Sequence, residues 1–242
     1  MDCFYRSHLA FICIFIWSLA LFRTTDSGSI TWHEPPPSET VIDTAITSTT
    51  ETNLTKGSFN EELSCNFSLT ADLSFETVSF EFDGVTVASY AKGRYPTVAD
   101  RFVSRFNVTW VPSKLTLIVF KVTSDDKREY HCRAQGYSSS HGLQAWLRMI
   151  KVDVLVQTQI TNVTGKTVTE GGNVTLKCLA EGNPTPTVMW TRLSDNRVVT
   201  MPLTNIRRQN ASVGYRCTAN NGVKSPATRD VFLDVQCECY NL

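Results

Sequence analysis

The residues of this chain best equipped for chemistry are its eight cysteines, Cys3, Cys13, Cys65, Cys132, Cys178, Cys217, Cys237 and Cys239. In a reducing compartment such residues serve as metal ligands or nucleophiles; in an oxidising one they form disulfides. The metal reading finds no support. The closest pair, Cys237-x-Cys239, has no further ligands at zinc spacing, and His8, His33, His131 and His141 are scattered without metal-type intervals. Nor is there a Gly-x-Ser-x-Gly elbow, a phosphate loop or a dinucleotide fingerprint. The paired carboxylates Glu61-Glu62 and Asp125-Asp126 are sequence neighbours, so on a strand they face opposite sides and read as solvated strand ends. The expectation is a non-enzyme with no cofactor and no metal.

The cysteines' compartment follows from the N-terminus. Residues 1–27 read as a secretory signal peptide: Arg6 lies in a short polar start, and Leu9 to Phe22 is an apolar run broken only by Ser18. A comfortable span needs about 20 apolar residues, so this run is short for a membrane anchor, although an uncleaved signal-anchor is the alternative. Small residues suited to cleavage occur at Ser18-Leu19-Ala20 and again at Thr25-Asp26-Ser27. No second apolar stretch follows, so the mature chain is expected to have no membrane span and to be secreted and extracellular. Cys3 and Cys13 fall in the signal, leaving six cysteines in an oxidising environment.

Charge and modification motifs agree. Lys plus Arg number 23 and Asp plus Glu 23, for a net charge of zero, so a nucleic-acid partner has no global electrostatic support. Asn53, Asn66, Asn107, Asn162, Asn173 and Asn210 each begin an Asn-x-Ser/Thr sequon. Behind a signal sequence they predict a glycoprotein. Asn66 follows Cys65 directly, so an inward cysteine turns that asparagine outward, and Asn173 lies five residues before Cys178 with the same consequence.

The elements that must position these residues are strands. At 242 residues there is room for two domains. The Pro35-Pro36-Pro37 run favours extended backbone, and the Thr-rich stretch after Ile46 reads equally as a strand, a loop or an O-glycosylated segment. From Glu62 the alternation is plain: Leu63, Cys65, Phe67 and Leu69 share one parity, as do Val78, Phe80 and Phe82. Asp83-Gly84 is a hairpin signal, and further strands are expected at 85–87, 106–108, 115–119, 130–134 and 147–156. A second set is expected at 168–169, 174–180, 187–190, 203–206, 214–219 and 231–235, with 181–186 as a Pro-containing turn. Many short strands with no sustained helical period predict an all-β protein.

Around the cysteines, Tyr130-His-Cys132 and Tyr215-Arg-Cys217 repeat one signature, and Trp190 stands twelve residues after Cys178. Together with Thr169-Glu-Gly-Gly-Asn-Val-Thr-Leu-Lys-Cys178, Gly182-Asn-Pro-x-Pro186 and Ala219-Asn-Asn221-Gly222, these motifs resemble the immunoglobulin superfamily over almost all of the mature chain. The resemblance implies two tandem immunoglobulin-like β-sandwiches: a variable-type domain at 28–156 and an intermediate-set or C2-like domain at 157–235, followed by a Cys-containing tail at 236–242. It implies disulfides Cys65–Cys132 and Cys178–Cys217, an aromatic packed on each bridge, and a Tyr whose OH ties down a corner. Each bridge would contribute about 4 kcal/mol on a chain-entropy model. Two departures stand out: Phe80 replaces the expected core Trp of the first domain, and Ala211 stands where the second expects an acidic residue, filled in the first by Asp126 opposite Arg105.

In such a variable-type domain, Tyr137, Ser138, Ser139, Ser140 and His141 would form the loop between the last two strands. Tyr, Ser and Gly together supply rigid contact area and adaptable hydrogen bonds, although turns favour Ser and Gly for conformational reasons alone. Ser79, Glu81 and Asp83 would face outward on the adjoining sheet, too polar for a large apolar pairing surface. On a continuing strand Cys237 and Cys239 would lie about 6.5–7 Å apart, at the limit for bridging each other. An inter-chain bridge giving a covalent dimer, or a further module, is favoured over a bridge within the tail. The expected function is recognition of an extracellular or cell-surface protein, or a glycan, in adhesion or immunity. The alternatives are a soluble decoy isoform of a longer membrane receptor and a structural matrix component.

Overall fold

The computed structural model describes residues 28–35 and 37–237. The expected signal peptide, Cys3, Cys13 and Cys239 lie outside them. The strands are β1 (Ile30–Trp32), β2 (Glu39–Val41), β3 (Thr47–Thr55), β4 (Phe59–Leu69), β5 (Ser74–Phe82), β6 (Val85–Ala91), β7 (Thr97–Val98), β8 (Phe106–Val111), β9 (Lys114–Lys121), β10 (Glu129–Ser138), β11 (Gly142–Thr164), β12 (Thr167–Thr169), β13 (Lys177–Asn183), β14 (Thr187–Arg192), β15 (Tyr215–Asn220), β16 (Ala227–Val231) and β17 (Asp234–Gln236). Helical turns are confined, among the described residues, to three short 3₁₀ segments at Asp100–Phe102, Ser124–Asp126 and Arg208–Asn210. The all-β expectation holds.

The described residues form two compact units, one of 28–50, 62–118 and 130–150, the other of 51–61, 119–129 and 151–237. The expected boundary at 156/157 falls inside β11, a single strand that supplies backbone to both. The Thr-rich segment whose sequence left three readings open is strand β3, paired with β11.

In the first unit one sheet runs β2-β1-β4-β9-β8 and the other carries β10-β5-β6-β7. Leu63, Cys65 and Phe67 alternate inward along β4, as do Val78, Phe80 and Phe82 along β5, and the Cys65–Cys132 bridge spans Cα atoms 6.2 Å apart. The β5–β6 hairpin turns on Asp83 (φ 50°) and Gly84 (φ 73°), the positive-φ pair that a two-residue turn matching strand twist requires. Trp32, which the sequence placed only in an extended Pro-rich stretch, is fully buried, and so is Trp146.

Two bulges re-aim side chains in this unit. The β5–β10 register steps from Thr77↔Gln135 to Phe75↔Gly136, leaving Glu76 as an extra residue on β5. The β5–β6 register steps from Phe80↔Ala88 to Glu81↔Thr86, leaving Val87 extra on β6. An extra residue reverses strand parity beyond it, so consecutive Val87 and Ala88 are both buried. Phe75 and Tyr90 thereby join Phe67 and Trp110 in one ring cluster.

In the second unit β13 pairs with the C-terminal part of β11, β14-β15-β16 form an antiparallel sheet, and β12 pairs β17 in parallel. Its core gathers Val163, Val168, Leu176, Trp190, Leu203, Ile206, Tyr215, Val231 and Leu233 around the Cys178–Cys217 bridge, Cα–Cα 6.4 Å. Three strand limits differ from expectation. Regular pairing begins at Lys177 rather than Val174 and runs on to Asn183, taking in the first half of the expected turn. Residues 203–206 form no regular strand: Leu203 makes an isolated bridge to Val174, and Ile206 exchanges backbone hydrogen bonds with Gly171 and Gly172; Pro202 just before it has no N–H to extend the ladder. The last strand divides into β16 and β17 at Phe232-Leu233.

Candidate recognition surface

The expected binding loop is a tight hairpin turn. Tyr137 and Ser138 are the last residues of β10, and Ser139, Ser140 and His141 make the connection to Gly142 (φ 71°), the first residue of β11. The His141 N–H donates to Ser138 Oγ at 3.0 Å, Ser138 Oγ lies 3.4 Å from Ser140 Oγ, and Ser140 Oγ lies 2.8 Å from His141 Nδ1. Ser138 is therefore a buried internal brace, while Tyr137, Ser139, Ser140 and His141 are exposed. The hydroxyls spend part of their bonding capacity on one another, which fixes the turn and leaves the Tyr137 ring, 50% exposed, as the principal contact area.

Register places other residues beside it. Tyr137 lies opposite Ser74 at the start of β5, and Lys92 Nζ donates to Ser74 Oγ at 2.8 Å. Lys92 N–H also donates to Glu76 O at 2.9 Å, and Arg94 N–H closes a turn onto Ala91 O at 3.0 Å. Tyr95, just past that turn, is 90% exposed. One end of the β10-β5-β6 sheet thus presents Tyr137 and His141, then Ser74 and Lys92, then Arg94 and Tyr95. The second half was missed in the sequence, although Lys92-Gly-Arg-Tyr-Pro96 carries a turn signal with an aromatic in it.

The adjoining sheet face is polar and internally paired. The Ser79 hydroxyl donates to Glu81 Oε1 at 2.9 Å, Arg133 Nε pairs with Glu81 at 3.2 Å, and the Thr77 hydroxyl donates to Gln135 Oε1 at 2.7 Å. Asp83 is exposed in the hairpin turn.

The two acidic-corner positions also resolve. In the second unit's 119–129 segment, Asp126 is buried and its Oδ2 accepts from Thr123 N–H at 2.7 Å and the Thr123 hydroxyl at 3.2 Å. The same 3₁₀ turn recurs at Arg208–Asn210, where Asn210 Oδ1 accepts from Arg207 N–H at 2.7 Å. The counterpart of Asp126 is therefore Asn210, one residue before Ala211; it keeps the cap and drops the charge.

Elsewhere the charges are structural. Lys127, 2.9 Å from Asp153, and the Asn183 amide hold the Asp153 carboxyl below the usual aspartate range. A two-point contact with Arg216 does the same for Asp230. Burial pushes the Arg148 guanidinium down, and the negative charge of Glu39 opposes that shift. Among the described residues no group of His, Cys, Asp and Glu is arranged to hold a metal, and no helix is long and apolar enough to cross a membrane.

Of the sequon asparagines, Asn53, Asn107, Asn162 and Asn173 are exposed and Asn66 and Asn210 half-buried. Cys237 is exposed at the end of β17, with Arg208 against its Sγ.

Comparison with known proteins agrees with this geometry. The family model for the immunoglobulin domain matches residues 157–221. IgLON family member 5 of Homo sapiens is 34% identical over 129 residues, which is 51% of this chain and 37% of that protein. Limbic system-associated membrane protein of Gallus gallus is 30% identical over 131 residues, again 51% of this chain and 37% of that protein. The chain thus spans well under half the length of these relatives. Among solved structures, Sidekick-1 immunoglobulin domains 1–4 superpose with TM-score 0.52 at 15% identity, covering 88% of this chain and 50% of that one. The titin I67–I69 variant gives TM-score 0.51 at 15% identity, covering 77% and 62%; at such identity both speak to fold alone. Residues 157–221 thus match the immunoglobulin domain, and the β-sandwich fold of the chain is of the immunoglobulin kind.

Proposed function

We propose that the chain is a secreted, glycosylated recognition protein whose 28–156 domain contacts an extracellular or cell-surface protein in adhesion or immune-type recognition. The 157–235 domain supports it. The observation that carries this reading is the pair of exposed tyrosines, Tyr137 and Tyr95, set beside tight turns at one end of the same sheet. Tyrosine supplies large contact area at low conformational cost, and rigid turns reduce the ordering lost on binding. Its glycans are assigned to Asn53, Asn66, Asn107, Asn162, Asn173 and Asn210, each at least partly exposed. A screen of the purified ectodomain against secreted and membrane proteins identifies the partner. Tyr137→Ala with His141→Ala then abolishes that binding without unfolding; unchanged affinity disposes of the loop as the contact site.

A second reading is a soluble decoy form of a longer membrane receptor. A transcript encoding a longer form with the same two domains is its test. The exposed Cys237 also supports an inter-chain disulfide giving a covalent dimer. A band of dimer mass on a non-reducing gel that collapses on reduction is expected; a monomer under both conditions rejects it.

A further inference from the structure

The second unit carries a cleft of about 410 Å³ beside the 3₁₀ turn at Arg208–Asn210. It opens where residues 198–206 cross the unit without a regular strand. Val199 N–H donates to Trp190 O at 2.9 Å, and Leu203 N–H donates to Val174 O at 2.8 Å, so the chain passes from the side of β14 to Val174. The floor of the cleft is apolar, made by the buried Leu203, Ile206 and Tyr215. Its rim is polar, with Thr200, Thr204 and Asn205 exposed and Arg192 half-buried.

Asn210 is itself part of the lining, and it begins the sequon Asn210-Ala211-Ser212. The two ends of its amide are differently engaged. Oδ1 accepts from Arg207 N–H at 2.7 Å, a donor that only the amide oxygen can face. Nδ2 has no hydrogen-bond partner among the described residues. Glycosylation uses Nδ2, with a lipid-diphosphate-linked oligosaccharide as donor. One N–H bond and the anomeric C–O bond break, a C–N bond forms, and the lipid diphosphate departs with the proton. Oδ1 is untouched, so the cap on Arg207 survives the modification. Asn173 meets the same rim, its Oδ1 accepting from Asn205 N–H at 3.1 Å, but it is exposed and no part of the lining.

We propose that the first N-acetylglucosamine of a glycan on Asn210 is seated in this cleft. The proposal rests on the glycoprotein reading above. A pyranose ring presents C–H bonds on its faces and hydroxyls around its edge, which suits an apolar floor inside a polar rim. The volume is within the range of small-ligand sites, about 300–1,000 Å³. The seated sugar covers Leu203 and Ile206, whose stretch is held by backbone hydrogen bonds to Val174, Gly171 and Gly172 and by no regular strand. It thereby serves as a structural part of the second unit.

The test uses chain exported from secretory cells. Glycopeptide mass spectrometry reads occupancy, and Asn210 is expected to carry a glycan. Peptide-N-glycosidase should release that glycan from native protein at least about tenfold more slowly than the glycans of the exposed Asn53 and Asn162, and at equal rates after denaturation. Thr200→Trp fills the cleft from its rim and should bring the Asn210 rate up to theirs. The amides of Leu203 and Ile206 should exchange at least about tenfold faster once the glycan is removed, and no faster when it is trimmed to the single N-acetylglucosamine. Removal converts the asparagine to aspartate, which keeps an acceptor for Arg207 N–H, so the change reports the sugar. An Asn210 glycan released as fast as the others, or amides indifferent to its removal, overturns the proposal and leaves the glycoprotein reading standing. Glycans elsewhere with Asn210 empty do the same. A chain with no glycan at any sequon overturns both.

Discussion

Phe80 lies directly across the β5–β10 ladder from Cys132, as Trp190 lies directly across β14–β15 from Cys217. The register is the same in both units while the ring differs. A cross-strand neighbour of an inward cysteine is itself inward and next to the bridge, so this position is aromatic for the bridge's sake.

The size of that ring is set by the rest of the core. Phe80 is fully buried in a unit that already holds Trp32, Trp146 and Phe67, and interiors at native density have little spare volume. Phe80→Trp should therefore destabilise the first unit by about 1–3 kcal/mol through overpacking. Phe80→Ala should cost about 3–5 kcal/mol. Denaturant unfolding of the oxidised protein measures both, and a stabilised Phe80→Trp variant would show that the first unit's pocket was built for indole.

The cap at Asn210 separates hydrogen bonding from glycosylation. Asn210→Ala removes the acceptor for Arg207 N–H and should cost about 1 kcal/mol. Asn210→Asp retains an acceptor, adds the charge that Asp126 carries at the equivalent turn, and should be at least as stable as the unglycosylated parent. Both variants destroy the sequon, so any difference between them reports the cap and any shared mass loss reports the glycan. Equal melting of the two variants would remove the cap from the account.

Asp153 and Asp230 set an acid dependence. Both pKa values lie below the ordinary 3.8, Asp153 through Lys127 and then Asn183, Asp230 through Arg216. A carboxyl whose folded pKa is depressed contributes stability above its unfolded pKa and loses it as pH falls through the folded one. Stability should be flat near neutrality and decline below about pH 4. Asp153→Asn should flatten part of that decline and leave neutral stability less changed in high salt, since the pair is solvent-exposed and screened. A pH–stability profile identical to the parent's would show that the pair contributes nothing measurable.

The alternating strands, the Asp83-Gly84 turn and the aromatic at Trp190 were legible because a half-buried strand writes its pleat into the sequence with period two. The candidate recognition surface was legible only on its Tyr137 side. The bulges at Glu76 and Val87 interrupt the period with one extra residue each, and nothing local distinguishes that residue from an ordinary strand position. Phe75 and Tyr90 consequently have the parity of outward residues in sequence and inward positions in space. Trp32 was hidden for another reason: β1 has three residues, too few to show a period, and stands beside a proline run. The Asn210 cap escaped because counting back from Cys217 assumes equal spacing, whereas the second unit has one more residue between its cap and its cysteine than Asp126 and Cys132 do.

Two glycines of the second unit give the sharpest contrast in expected cost. Gly165 (φ 81°) and Gly171 (φ 83°) share a left-handed backbone, yet a Cβ at Gly165 would lie 2.0 Å from Thr175 O, whereas at Gly171 nothing stands within 4 Å. Gly171→Ala should thus cost only the left-handed penalty, about 1–2 kcal/mol. Gly165→Ala adds a backbone collision that side-chain rotation cannot relieve, since its partner is a carbonyl in the connection from β12 to β13, and should cost clearly more, about 3 kcal/mol or above. Thermal unfolding of the two variants side by side tests this. Equal losses would mean that the chain around Thr175 yields, and that the turn from β11 into β12 is less tightly held than its contacts imply.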